Sequence, residues 1–206
     1  KFTAELLRLA AGRAVKAATR VKAKSVTIQL PVVRELEHAV KAVVEGFELG
    51  IDDFAHGALT MSDFASNKKP DECPPNIWGI LDTAITDKGP IATPLIDLMV
   101  KKKVSMTTTM PVYEAFYPKR PVTDERTLEL MTGEVREAYL KDRAFIDSSK
   151  VWPFTEQGFQ RALSFDRAFF AAGGVLASGV DPTGNGGALP GFGDQRAYEL
   201  LLEAGL

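Results

Sequence analysis

With 206 residues, 45% hydrophobic and 25% charged, the chain has the composition of a globular protein able to build one full core. Its formal charge of -2 gives no electrostatic case for nucleic acid or an anionic membrane, and no apolar run nears the roughly 20 residues that span a bilayer. The single cysteine, Cys73, excludes an internal disulfide and a cysteine-built zinc site; between Glu72 and Pro74 it reads as a loop thiol.

Taken in chain order, Thr3 can cap a helix whose apolar positions Leu6, Leu7, Ala10, Ala14, Val15 and Ala18 recur at helical spacing. Val26-Thr27-Ile28-Gln29-Leu30 then reads as a strand stopped by Pro31, and Glu35 to Glu45 as a helix with Leu36, Val40, Val43 and Val44 on one face. Ile51 to Gly57 reads as a short strand with His56 at its tip. Residues 60–90, with Pro70, Pro74, Pro75 and Gly89, predict a long irregular segment with one helical turn near Trp78 and Leu81. A helix from Thr93 to Lys103, a β-rich run from Val104 to Thr109 closed by Pro111, and an aromatic irregular stretch holding Tyr113, Phe116 and Tyr117 come next. Helices are expected over Asp124–Lys141 and Thr155–Ala172, then a strand over Gly174–Val180 ending at Asp181, a Gly-rich loop, and a last helix over Asp194–Ala204.

Buried strands alternating with amphipathic helices predict an α/β fold with parallel strands in βαβ units. Four such strands suit half of an eight-stranded barrel or a small doubly wound sheet. The helical pattern already running at Thr3 and the helix end at Glu203-Ala204-Gly205 lead us to expect a single domain over 1–206, cut at both ends.

In such folds chemistry gathers at the carboxyl ends of the strands. His56 and Asp181 both hold that address, on different strands. Each has a plainer reading: a hydrogen-bonded structural histidine, and an acid that caps the next turn. Together, an imidazole and a carboxylate suit zinc or a similar divalent ion. His38, beside Glu37 in a helical pattern, reads as a solvated helix face. The loop Thr183-Gly184-Asn185-Gly186-Gly187 could cradle an anion through its amides, although it lacks the Lys-Ser/Thr of a phosphate-binding P-loop. None of Ser62, Ser105, Ser148 or Ser178 stands in a nucleophile-elbow frame.

Three segments resemble the amidohydrolase superfamily, in its imidazolonepropionase-like branch. Gly50-Ile51-Asp52-Asp53-Phe54-Ala55-His56-Gly57 is similar to that branch's G-V-D-x-I-x-H-G strand. Gly174-Val175-Leu176-Ala177-Ser178-Gly179-Val180-Asp181 resembles its last barrel strand, and Tyr198 to Leu206 the helix that follows. The resemblance implies a (β/α)8 TIM-type barrel, of which this chain would carry roughly the second half, and one or two divalent metals, most often zinc, that activate water against an amide or related carbonyl carbon. It makes His56 a metal ligand of the sixth strand. It makes Asp181 the eighth-strand aspartate that meets the metal and carries the proton. Where the fifth strand should offer a histidine, this chain has Gln29, a neutral amide and a poor zinc ligand, which leaves it to contact substrate. The first-strand His-x-His and the fourth-strand lysine or glutamate have no counterpart and would precede Lys1.

The expectation is therefore a metal-dependent hydrolase of a C–N bond in a small amide or peptide-like substrate. Asp181 is its proton carrier, His56 and Asp181 are metal ligands, and Tyr113 and Gln29 meet the substrate. Two other readings are carried beside it: a catalytically incomplete barrel that binds a small ligand or partner, and a metal-free phosphate-binding barrel enzyme. The unpaired edges of a half-barrel would favour a homo-oligomer. No nucleic acid or membrane partner is expected, and a cytoplasmic or an exported soluble protein would both suit the composition.

Overall fold

The computed structural model describes residues 47, 50–68, 74–121, 123–185 and 187–206. The helices expected before Glu45, the strand at 26–30, Gln29, His38 and Cys73 lie outside the described residues. What is described is α/β: three strands, β1 (Asp53–Ala55), β2 (Ser105–Thr108) and β3 (Leu176–Ser178), form one parallel sheet in chain order. The register sets Phe54 beside Met106 and Met106 beside Leu176. Neither outer edge has a paired strand among the described residues.

Seven α-helices accompany these strands among the described residues: α1 (Ile77–Ala84), α2 (Ala92–Lys102), α3 (Met110–Glu114), α4 (Glu125–Leu130), α5 (Gly133–Ser148), α6 (Glu156–Ala171) and α7 (Phe192–Ala204). Segment 60–90 holds more structure than its composition suggests, with two 3-10 turns, Gly57–Thr60 and Ser62–Phe64, leading to α1. The single helix expected over 124–141 is two. Asp124 caps α4 by accepting from the Thr127 amide, and Thr132 caps α5 by accepting from the Val135 amide. Two good capping residues eight apart define two starts, and α5 then runs beyond Lys141 to Ser148. Pro111 does not merely close β2. Its fixed φ suits the first turn of α3, so Tyr113 lies on a short helix and not in irregular chain.

β2 shows how the sheet divides its surroundings. Met106 and Thr108 are buried while Ser105 and Thr107 alternate with them, half-exposed. The buried face meets α6, whose Phe159, Ala162, Phe165 and Phe169 are fully covered and join Met99, Leu59 and Met61 in the core. The other face is polar. There Ser105 Oγ (2.5 Å) and Thr107 Oγ1 (2.8 Å) both donate to the carboxylate of Asp53 on β1. Among the described residues, no helix is long and apolar enough to cross a membrane.

Candidate functional site

Three parallel strands ending at one edge bring three loops together. Ladder bonds run one step past the strands: the His56 amide donates to Thr107 O (2.9 Å), and the Gly179 amide to Thr108 O (2.8 Å). These bonds fix where the next side chains begin. His56 follows β1 directly, Thr109 follows β2 directly, and Asp181 lies just beyond β3.

At that edge His56 Nδ1 and Thr109 Oγ1 are hydrogen-bonded at 2.9 Å, and Asp181 Oδ2 stands 3.6 Å from the same nitrogen. The imidazole is 33% exposed and the carboxylate 28%, so solvent and small molecules reach both. No hydrogen bond joins His56 Nε2 to any described residue. Thr183 anchors the other carboxylate oxygen, its hydroxyl donating to Asp181 Oδ1 at 2.8 Å, and so turns Oδ2 towards the histidine. Tyr113, one turn beyond Thr109, sets its ring edge-to-face with His56 at 6.0 Å between centroids. Burial, and secondarily the negative charge of Asp181, push the Tyr113 phenol well above the ordinary tyrosine range, so it stays a proton donor.

Both key residues sit in the left-handed region, His56 at φ 75° and Asp181 at φ 48°. That region costs a non-glycine residue roughly 1–2 kcal/mol. Five non-glycine residues adopt it among those described, and two of the five are this pair. The turn at each strand tip aims a side chain across the sheet edge where a relaxed backbone would not.

His56, Asp181 and Tyr113 are thus brought together, while Gln29 lies outside the described residues. The aromatic stretch divides unexpectedly. Tyr117 is fully buried against Phe154 and Phe159, each at 4.9 Å between centroids, and belongs to the core rather than to a substrate surface. Phe116 backs the glycine loop, where a Cβ on Gly184 would stand 3.0 Å from its ring. Within that loop the Gly187 amide donates to Asn185 Oδ1, and Asn185 donates to Ala115 O, so these groups serve the loop itself rather than an anion. Comparison with protein-family models, with curated proteins and with solved structures finds no match to this chain.

As a metal site, the pair offers one imidazole and one carboxylate, donors of the kind zinc takes. A zinc shell needs about four donors, and among the described residues no group of three His, Cys, Asp or Glu side chains could hold a metal. The nearby Asp53 carboxylate is already committed to two hydroxyls. The described residues therefore fit part of a metal shell.

Two features of the site, and one ion-paired acid of α3, were not singled out from the sequence. Thr109 holds the histidine. Asp166 of α6 lies fully buried beneath the strand tips. Glu114, at the end of α3, is clamped by Arg120 and Arg196, with four contacts between 2.7 and 2.9 Å. For Asp166 a signal existed: with Phe159, Ala162, Leu163 and Phe169 it occupies the apolar stripe of its helix, where an acid is out of place.

Proposed function

We propose that the chain forms part of a metal-dependent amidohydrolase barrel that cleaves a C–N bond in a small amide or peptide-like substrate. The observation that carries this reading is the convergence of His56 and Asp181, from loops after the first and third strands, at the carboxyl edge of a parallel sheet. The barrel is supported by three sequential parallel strands with helices between them, and by the Asp53–Ser105–Thr107 layer on the face away from those helices. Among the described residues both sheet edges lack a paired strand, which also favours association with a further copy or segment.

A divalent ion, when bound, lowers the pKa of its water to about 7 and so supplies a nucleophile at neutral pH. In this reading His56 and Asp181 hold one side of the ion, and the remaining donors come from outside the described residues. Asp181 takes the proton of the attacking water and returns it to the leaving nitrogen, with Thr183 fixing its second oxygen throughout. Tyr113 borders the substrate and donates to it, and Gln29 is proposed as a further substrate contact.

The test is hydrolysis of a panel of amides and dipeptides by the full chain supplied with zinc or manganese, with bound metal measured in parallel. Asp181→Asn is expected to lower hydrolysis by about 10²–10⁴-fold, and His56→Ala to lower bound metal as well. Unchanged metal content and rate in both variants would sink the proposal.

Gln29, standing where the resemblance expects a fifth-strand histidine, favours one other reading, a barrel that binds a small ligand without catalysis. Gln29→His separates the two: tighter zinc binding supports a hydrolase metal site at this edge, and unaltered affinity supports the binding protein.

A further inference from the structure

Asp166 takes no part in the chemistry just described, yet both halves of the His56–Thr109 hydrogen bond rest on it. It is fully buried on the sheet-facing side of α6. Its Oδ2 accepts from Thr108 Oγ1 at 2.6 Å, and Thr108 directly precedes Thr109. Its Oδ1 lies against Gly57, which directly follows His56; a Cβ there would stand only 3.2 Å from that oxygen. Gly57 holds φ 59°, so the residue that lets the chain pass over the carboxyl also continues the left-handed turn begun at His56.

A helix acid buried without an ionic partner is costly unless the fold uses it. Here Oδ1 has no hydrogen-bond partner at all among the described residues. The Thr108 bond and the Gly57 contact join the tips of β1 and β2 at a single side chain. Thr108 faces the helix and Thr109 begins the turn towards the histidine, so a shift of Thr108 moves the base of the group that holds the ring.

We propose that Asp166 is a positioning residue: from beneath the sheet it fixes the Thr108–Thr109 and His56–Gly57 turns, and thereby the orientation and tautomer of the His56 imidazole. The functional meaning of this rests on His56 belonging to the site proposed above, but the positioning itself does not require the chain to hydrolyse anything. Burial also pushes the Asp166 carboxyl up to about 7, and in either protonation state Oδ2 can accept the Thr108 hydroxyl.

The chain has only two histidines, His38 and His56, so ring nitrogen signals can be assigned with a His38→Gln variant. The experiment is nitrogen NMR of the two imidazoles in the full chain at one fixed pH of about 8, above the ordinary histidine range, for wild type, Asp166→Asn, Asp166→Ala and Thr108→Val. The wild type is expected to show one dominant His56 tautomer. Asp166→Asn, isosteric and neutral, is expected to keep it. Asp166→Ala and Thr108→Val are expected to lose it, with the signals moving towards the averaged position of a free ring while His38 stays unmoved. His56 signals that stay at their wild-type positions in folded Asp166→Ala, or in Thr108→Val should the alanine variant not fold, overturn the proposal. Equal disturbance in Asp166→Asn and Asp166→Ala overturns it too, because a positioning hydrogen bond should survive the isostere. Absence of zinc binding and hydrolysis in wild type would count against the hydrolase reading alone and leave this result to be read separately.

Discussion

His56, Lys103 and Asp181 share a left-handed backbone and differ in what they gain from it. Lys103 ends α2 at φ 58°, its amide donating to Val100 O, in the place where glycine commonly stops a helix. Lys103→Gly should relieve about 1–2 kcal/mol of strain against a glycine entropy cost of about 0.5–1 kcal/mol. We expect a gain of about 0.5–1 kcal/mol, seen as a higher urea midpoint with unchanged slope. At His56 and Asp181 the same relief is set against a lost hydrogen bond of about 1 kcal/mol. His56→Gly and Asp181→Gly should therefore leave stability within about 0.5 kcal/mol of wild type. A loss of 2 kcal/mol or more (about 30-fold in the folding constant) in either would mean that the residue is kept for structure. The two strand-tip residues were legible because an apolar run ending in His-Gly or in Asp-Pro marks a turn. Thr109 and Asp166 were not, because hydrogen bonds between residues 53 and 58 positions apart leave no local spacing to read.

Among the elements, α6 depends on an interaction made before it begins. Thr155 caps it, and the carboxylate of Asp82 on α1 holds Thr155 through its amide (3.1 Å) and hydroxyl (2.7 Å), while Arg161 donates to the Asp82 carbonyl. The carboxylate occupies the space beside Gly158, where a Cβ would fall 1.7 Å from Asp82 Oδ1. In an ordinary helix interior, Gly→Ala gains about 1 kcal/mol. Here the sign should reverse: Gly158→Ala displaces Asp82, removes the support of the cap, and is expected to cost about 2 kcal/mol by thermal or urea unfolding. In an Asp82→Ala background the same change should be neutral or stabilising, since contacting sites couple. If Gly158→Ala stabilises the wild type, the close approach is not a constraint. Helix existence was readable from period and caps, and α2, α6 and α7 fall within two residues of expectation. The failures differ in source. In 60–90 the two 3-10 turns rest on α6 and α1, while α1 has an apolar period of its own, Ile77, Ile80, Leu81 and Ala84, too short to stand out beside the prolines. In 110–121 the short α3 rests on Pro111 in its first turn and on contacts with α7.

Over the whole molecule, the buried acids and the Arg120–Glu203 ion pair pull stability in opposite directions with pH. Glu203 is held below the ordinary carboxylate range, chiefly by its hydrogen bond from Arg120, so its contribution is present above the unfolded pKa and fades as pH falls. Asp166 does the reverse. Burial raises it to about 7, and the Thr108 hydroxyl only partly offsets this. Between about pH 4 and 7 the folded chain then keeps a proton that the unfolded chain has released, and unfolding becomes easier as pH rises. Asp63 and Asp82 are raised by burial as well and add to the same slope. Wild-type stability should accordingly peak near pH 5, on the acid side of neutral, and decline towards pH 8. Asp166→Asn keeps an oxygen for Thr108 to donate to and has no proton to lose, so it should flatten the decline. We expect the variant to match wild type at or below about pH 4 and to exceed it by about 2–4 kcal/mol above pH 7.5. Urea midpoints measured across that range check the sign directly. A variant weaker than wild type by the same amount at every pH would show that Asp166 is held as an ion in the fold, and that its cost is met by a partner outside the described residues.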